Sequence, residues 1–246
     1  MRRAMRMLGL AEYGGDELLL AAIACGVSAL ALSRLHPLLA LIPGVPFAIV
    51  VWFFRDPNRS SGSAADIVLS PADGTVSDVM EVDEPNFIAG RAVRIGIFLS
   101  PFNVHVNRTP CGGVVRWVDY RSGEFLPAYN SQAPERNEST ALGIELENGL
   151  RVIVKQITGI LARRIICEAE MGDTLSRGQR YGMIKFGSRT EVYVAVEACH
   201  SMLVKVGDRV LGGATPLCRT EVARGQGSGV RTEEVSAQIS TDTGRA

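Results

Sequence analysis

The stretch ALGIELENGLRVIVKQI, residues 141–157, reads as two β-strands joined by a tight turn. Apolar residues are frequent in both halves, and Asn148-Gly149 between them is the strongest short-range signal for a two-residue hairpin. Asparagine and glycine suit such a turn because both tolerate a left-handed backbone. The stretch therefore predicts antiparallel β-structure.

Short runs rich in apolar residues continue on both sides of this hairpin, from about residue 60 onward. RAVRIGIFLS, residues 91–100, alternates apolar and other residues and so predicts a half-buried strand. Two further segments, GDTLSRG (172–178) and GDRVLGG (207–213), share the pattern G-D-x-[LV]-x-x-G. This pattern resembles the turn-and-strand signature of lipoyl and biotinyl carrier domains. The body is expected to be mainly β in an α+β chain, a flattened sandwich or barrel-like body with lipoyl-like repeats.

The amino-terminal part of the chain differs from this body. Two apolar runs, residues 18–32 and 38–54, are each slightly shorter than the roughly 20 residues of a perpendicular spanning helix. The pair is preceded by Arg2, Arg3 and Arg6 and followed by Arg55 and Arg59, which favours a cytoplasmic location for both ends. The pair predicts a membrane-associated helical hairpin. The alternatives are two buried helices of a soluble protein and a secretory signal, the latter a poor match because the apolar segment is double.

Composition excludes several classes of function. The 246 residues carry 26 acidic and 26 basic side chains, so no basic field indicates nucleic-acid binding. The five cysteines are scattered without a C-x-x-C pair, which fits neither a disulfide framework nor a zinc site. A reducing compartment and a site without a metal are expected.

The chain is expected to have three parts. Residues 1–59 form the apolar hairpin, and residues 60–222 form the β-rich body, beginning with the linker-like SSGSAAD. Residues 223–246 lack apolar periodicity and are expected to be disordered.

Three residues of the body could supply one reactive site. His105 lies in FLSPFNVHVNRTP, a proline-bounded segment, and is the best candidate for a general base among the three histidines. Asp73 lies in SPADGTV, where Asp-Gly is first of all a turn signal. With Ser188, these residues provide a carboxylate, a base and a hydroxyl. The other two histidines, His36 and His200, are interpreted as interfacial and surface or packing residues.

The serine follows a glycine between two predicted strands, in GMIKFGSRTEVYV, residues 182–194. If His105 removes the Ser188 proton, the oxygen can attack the carbonyl of Gly187 and convert the peptide bond to an ester. Glycine suits this step because it lacks a Cβ and tolerates distorted backbone geometry. Elimination and hydrolysis would then turn Ser188 into a pyruvoyl group. The surroundings of Ser188 do not match the G-x-S-x-G elbow of a serine hydrolase.

Several segments together resemble short-form phosphatidylserine decarboxylase proenzymes, which depend on a pyruvoyl group. They are FRDPNR (54–59), SPADGTV (70–76), FLSPFNVHVNRTP (98–110), PERNE (134–138) and the long run QITGILARRIICEAEMGDTLSRGQRYGMIKFGSR (156–189), with the apolar pair in front of them. The chain departs from long-form relatives in two places. It has Arg108 where they have a second histidine, and Phe-Gly-Ser-Arg where they have Leu-Gly-Ser-Thr.

This resemblance implies a self-processing carboxy-lyase that converts phosphatidylserine to phosphatidylethanolamine and carbon dioxide. It implies cleavage between Gly187 and Ser188 into a β chain, 1–187, and an α chain, 188–246. It also implies an Asp73, His105 and Ser188 relay, and a pyruvoyl group at Ser188 that forms the Schiff base, with no metal or diffusible cofactor. The expected partners are the phospholipid substrate and the membrane, with the enzyme at the cytoplasmic face of the inner membrane. The β and α chains are expected to form a heterodimer, and the resemblance is compatible with a homo-oligomer of this pair.

Two other functions share parts of this pattern. A soluble pyruvoyl amino-acid decarboxylase would use the same chemistry but has no use for the apolar residues 18–54. A lipoyl- or biotinyl-like carrier would need a modifiable lysine at a hairpin tip, and the corresponding EACHSM, residues 197–202, has none.

Overall fold

The computed structural model describes residues 2–62, 64–127, 130, 132–160, 164–185 and 188–220. It divides into two compact units, Met1–Asn58 and Arg59–Ala246. The tail predicted to be disordered, residues 223–246, lies outside the described residues. The expected three-part division of the chain stays a prediction.

The first unit is helical. Its helices are α1 (Arg2–Met7), α2 (Gly15–Ser33) and α3 (Gly44–Phe53), with 3-10 segments at Glu12–Gly14 and Pro37–Leu41. His36 precedes the second 3-10 segment, and its Nδ1 accepts a hydrogen bond from the Leu38 amide at 3.2 Å. The second apolar run thus consists of the 3-10 segment and α3, with a break between Leu41 and Gly44, and His36 has a local capping contact.

Helix α2 and the segment before it form an apolar element of membrane-crossing length. Within the described residues, Glu12–Ser33 is the one helical stretch long and apolar enough to span a membrane, with a mean hydropathy of 1.7. The apolar stretch Pro37–Phe53 is shorter. Large apolar side chains are exposed along α2: Leu19, Leu20, Ile23, Val27 and Leu30.

The second unit consists mainly of β-strands. Fourteen strands occur in its described parts: β1 (Ile67–Leu69), β2 (Gly74–Glu84), β3 (Gly90–Leu99), β4 (Val106–Arg108), β5 (Gly113–Arg121), β6 (Ser139–Glu145), β7 (Arg151–Ile157), β8 (Ile165–Cys167), β9 (Thr174–Leu175), β10 (Arg180–Ile184), β11 (Ser188–Ala195), β12 (Cys199–Met202), β13 (Arg209–Val210) and β14 (Pro216–Thr220). A short helix, α4 (Ala133–Arg136), lies in the connection between β5 and β6.

Eight strands form one sheet in the order β13-β2-β3-β11-β7-β6-β5-β9, which curls into a half-barrel. Two three-stranded sheets, β1-β14-β12 and β4-β10-β8, complete the body. The predicted alternation on β3 is confirmed, because four of its side chains are fully buried in the main hydrophobic cluster: Val93, Ile95, Ile97 and Leu99. The mainly β expectation is thus confirmed.

The two G-D-x-[LV]-x-x-G segments occupy equivalent positions at opposite edges of the large sheet. β9 lies in the first and pairs with β5, and β13 lies in the second and pairs with β2. The first and last glycine of each segment have positive φ, from 69° to 95°, which few other residues adopt. The strands that they pair with begin within SPADGTV (70–76) and TPCGGVV (109–115).

The predicted hairpin joins β6 and β7, but its loop is one residue longer than a two-residue turn. The Leu146 amide donates to the Leu150 carbonyl at 2.9 Å, and the Gly149 amide donates to the Leu146 carbonyl at 2.9 Å. Gly149 has φ of 81°. These features fit a type I turn followed by a glycine bulge, the usual three-residue hairpin.

Candidate active site

Ser188 is the first residue of a central strand at the point where the chain passes from one sheet to another. β10 ends at Ile184 in the sheet β4-β10-β8, and β11 begins at Ser188 in the eight-stranded sheet. Gly187, the predicted cleavage residue, lies outside the described residues. The side chain of Ser188 is fully buried, and its hydroxyl has no hydrogen-bond partner among the described residues.

The loop that carries His105 adjoins both sides of this junction. Ser188 pairs with Leu99, the last residue of β3, and the chain runs from there through a turn to His105. The Ile184 amide, just before the junction, donates to the carbonyl oxygen of His105 at 3.3 Å. The fold thus brings the histidine loop and the serine strand to one end of the large sheet.

The imidazole of His105 is oriented by the backbone. Its Nδ1 lies 2.9 Å from the carbonyl oxygen of Asn103, and the residue is fully buried. Because a carbonyl oxygen only accepts, Nδ1 carries the proton and Nε2 is the basic nitrogen. Asn103 is held in turn, since its side-chain oxygen accepts from the Ser100 amide at 2.9 Å and from the Ser100 hydroxyl at 2.8 Å.

Asp73 lies at the same end of the sheet, immediately before β2, but binds other groups. Its carboxylate pairs with both terminal nitrogens of Arg59, one of them at 2.7 Å, and accepts from the Gly212 amide at 2.8 Å. Arg59 is largely buried and also donates to the Gly212 carbonyl at 2.8 Å. Among the described residues, no hydrogen bond joins Asp73 to His105, so its role in the relay stays a prediction.

Arg189, directly after the serine, anchors the start of β11 on the opposite face of the sheet. Its Nε donates to Glu191 at 2.8 Å, and its terminal nitrogens bond Ser77 at 2.8 Å and Asp78 at 2.7 Å. A Cβ at Gly96 would lie 2.3 Å from the guanidinium, so glycine leaves the space for it. The sequence marked Arg189 only as a departure from a motif. Its partners on other strands could not be predicted.

The charged side chains of Arg189, Asp78 and Glu191 stabilise one another although they are largely buried. Burial would raise the pKa of Asp78, but the positive charge of Arg189 and hydrogen bonds from Ser77 and Arg189 hold that pKa below its ordinary value. Burial would lower the pKa of Arg189, and the charges of Glu191 and Asp78 raise it. The guanidinium therefore stays charged and fixes the backbone next to Ser188.

Three other buried polar residues near Ser188 were missed by the sequence analysis. Thr190, Gln156 and Asn107 are all fully buried. Thr190 pairs with Gln156 across β11 and β7, and the Gln156 amide nitrogen donates to the Asn107 oxygen at 2.8 Å. Their residue types give no local signal, because only strand pairing brings them together. His200, in contrast, is an exposed residue of β12, as expected.

Comparison with known proteins identifies relatives over most of the chain. Residues 47–218 match the phosphatidylserine decarboxylase family. The chain is similar to the phosphatidylserine decarboxylase proenzyme of Carboxydothermus hydrogenoformans, with 47% identity over 80% of this chain and 92% of the relative. The proenzyme of Symbiobacterium thermophilum is 47% identical over 69% of this chain and 78% of its own length. That of Chlorobium phaeovibrioides is 40% identical over 87% and 98%.

Proposed function

The chain belongs to the phosphatidylserine decarboxylase family, and from this premise we propose that it is a proenzyme that cuts its own Gly187–Ser188 bond. Its activity is that of a carboxy-lyase, which converts phosphatidylserine to phosphatidylethanolamine and carbon dioxide. The observation that carries the self-cleavage is the setting of Ser188. Ser188 is the first residue of β11 beside the histidine loop, and its buried hydroxyl has no hydrogen-bond partner among the described residues.

His105 acts as the base in the cleavage. Its Nε2 takes the proton of the Ser188 hydroxyl, and the oxygen attacks the carbonyl carbon of Gly187. The C–N bond breaks as the ester C–O bond forms, and the amine of Ser188 receives a proton. Loss of the Cα proton then expels residues 1–187 as a carboxylate. Hydrolysis of the remaining unsaturated amine releases ammonia and leaves a pyruvoyl group at position 188.

The surroundings of Ser188 fit a pyruvoyl group. The fully buried position excludes bulk water, and the hydroxyl that the conversion removes has no other hydrogen bond among the described residues to lose. The ketone of this group supplies an electrophile for the substrate amine and a sink for the electron pair left by carbon dioxide. In this proposal His105 also moves protons during decarboxylation, and no diffusible cofactor is required.

The two products of cleavage are expected to stay together as a β and α chain pair. β11, in the α chain, is hydrogen-bonded on both sides to strands of the β chain, β3 and β7. Arg189 would add an ion pair across the new chain boundary, because Asp78 belongs to the β chain. The strand carrying position 188 is therefore held at the centre of the sheet after the bond is cut.

The apolar helix of the first unit supports attachment of the enzyme to the membrane that contains its substrate. Glu12–Ser33 has the length and hydropathy of a spanning helix, and its apolar side chains are exposed. The arginines at the two outer ends of the apolar pair favour the cytoplasmic face. We assign the enzyme to the cytoplasmic face of the inner membrane.

Purified protein should decarboxylate phosphatidylserine in detergent micelles, and borohydride added together with this lipid should abolish the activity. Reduction would fix the lipid amine to the α chain, and denaturing mass spectrometry would locate the added mass there. The Ser188→Ala protein is the control and should neither react nor gain mass. Decarboxylation by a chain that remains full length would contradict the pyruvoyl assignment.

Membrane attachment should withstand high salt and yield only to detergent. Leu20→Lys with Val27→Lys, both exposed positions on α2, should release protein into the soluble fraction, since a lysine near the centre of a spanning helix costs about 3 kcal/mol. Paired Leu20→Ile and Val27→Ile changes are the matched control. Extraction of the unaltered protein by salt alone would show that the contact is peripheral.

A further inference from the structure

The inward faces of β11 and β7 are polar at the end that contains Ser188 and apolar further along these strands. Ser188 and Thr190 lie on the same face of β11 as Val192 and Val194, which belong to the main hydrophobic cluster. On the neighbouring β7, Gln156 follows the core residues Val152 and Val154 on the same face. Polar side chains thus replace apolar ones at one end of two adjacent strands.

Besides the Ser188 hydroxyl, three atoms at this end have no hydrogen-bond partner among the described residues: Gln156 Oε1, Asn107 Nδ2 and Thr190 Oγ1. All three residues are 0% exposed. Buried polar groups are almost always paired, so three unpaired ones beside a reactive serine indicate a ligand rather than a packing role. The atoms also differ in kind, with one acceptor, one amide donor and one hydroxyl.

The orientation of the two amides is fixed by their contacts. The Gln156 nitrogen donates to Asn107 Oδ1 at 2.8 Å and to the carbonyl oxygen of Ile166 at 3.3 Å. Because the Ile166 carbonyl can only accept, the Gln156 nitrogen must face it, and both of its N–H groups are used. This leaves Gln156 with a carbonyl oxygen and Asn107 with an NH₂ group to offer to a ligand.

We propose that Gln156, Asn107 and Thr190 form the subsite for the α-amino-carboxylate of the serine headgroup. This inference rests on the proposed function, because the headgroup must bind next to position 188. The amine donates to Gln156 Oε1, and the carboxylate accepts from the Asn107 NH₂ and the Thr190 hydroxyl. These groups are neutral, so they orient the carboxylate without the strong charge pairing that would oppose its loss. The ethanolamine product lacks the carboxylate and loses two of the three contacts.

The subsite is tested by competition between two amines. Mature enzyme receives equal amounts of dihexanoyl phosphatidylserine and dihexanoyl phosphatidylethanolamine whose headgroup carbons carry deuterium, and borohydride then traps the bound amines. The deuterium separates the mass of the added ethanolamine lipid from that of the reaction product. The two unlabelled adducts, with and without the carboxyl group, both derive from phosphatidylserine, and their sum is divided by the deuterated adduct. This ratio of the serine to the ethanolamine adducts measures recognition of the carboxylate whether or not the trapped serine lipid has lost carbon dioxide.

Asn107→Leu and Thr190→Val should shift this ratio toward the ethanolamine lipid by about 10-fold, the worth of a hydrogen bond to a charged group. Gln156→Leu should reduce both adducts and leave their ratio closer to that of the unaltered enzyme. Thr220→Val is the matched control, because this buried hydroxyl bonds the Asp66 carbonyl at 3.1 Å in another sheet. It should leave the ratio unchanged.

Two results would overturn the subsite. One is an unchanged ratio in self-cleaved Asn107→Leu and Thr190→Val proteins, since a purely structural role lowers both adducts together. The other is failure of both variants to self-cleave, which would assign the residues to maturation. Failure of the proposed function itself looks different, because the unaltered enzyme would then trap neither amine.

Discussion

Ser188→Ala protein is expected to remain one uncut chain of 246 residues. Without the hydroxyl oxygen there is no nucleophile to form the ester at Gly187, and a peptide bond does not break on this time scale unaided. Denaturing mass spectrometry of the unaltered protein should instead show residues 1–187 and a chain that begins with a pyruvoyl group. The loss in the variant should be complete, and decarboxylation should be lost with it.

Ser188→Thr is the informative companion, because threonine keeps a hydroxyl on a β-branched side chain. A β-branched residue suits a strand, so the start of β11 should tolerate it. Slow cleavage is expected, with an α chain heavier by one CH₂ group than the pyruvoyl form. A cut Ser188→Ala chain would rule out Ser188 as the nucleophile, and an α chain that keeps its hydroxyl would rule out the pyruvoyl product.

Local sequence patterns predicted the parts of this fold that depend on neighbouring residues. The alternation in 91–100 predicted β3, and Asn148-Gly149 predicted the hairpin of β6 and β7. The hairpin loop is one residue longer than predicted because Gly149 forms a bulge. The Asn-Gly dipeptide is compatible with both the two-residue and the three-residue turn and does not distinguish them. Patterns of this kind report backbone preference and burial, which are local properties.

Contacts between distant segments could not be predicted in the same way. Arg59 was interpreted as part of the basic flank of the apolar pair, but its side chain pairs with Asp73 inside the second unit. Gln156 bonds Asn107 only because β7 and the sheet of β4 meet beside the serine junction. Residue type suggests what each group can bind, whereas its actual partner depends on the packing of strands far apart in sequence.

His105→Ala should accumulate as the uncut proenzyme. The fold brings the backbone of the His105 loop next to the serine junction, through the Leu99 pairing and the contact of Ile184 with the His105 carbonyl, and we propose its imidazole as the base. Loss of the base in well-studied serine enzymes costs about 10⁴-fold or more in rate, and a comparable slowing is expected here. The measurement is the fraction of cut chain over time after synthesis, by denaturing mass spectrometry. His200→Ala, at an exposed histidine of β12, is the matched control and should cleave normally.

Substitutions at Asp73 and Arg59 distinguish a role in orienting the base from a role in stabilising the fold. Asn103 rather than Asp73 contacts the His105 ring, so Asp73→Asn should slow cleavage far less than His105→Ala. Because Asp73 and Arg59 are a buried pair, Arg59→Gln should resemble Asp73→Asn and lower thermal stability along with cleavage. If Asp73→Asn instead blocks cleavage as fully as His105→Ala while Arg59→Gln cleaves normally, the carboxylate acts in the relay. Normal cleavage by His105→Ala would remove that histidine from the mechanism.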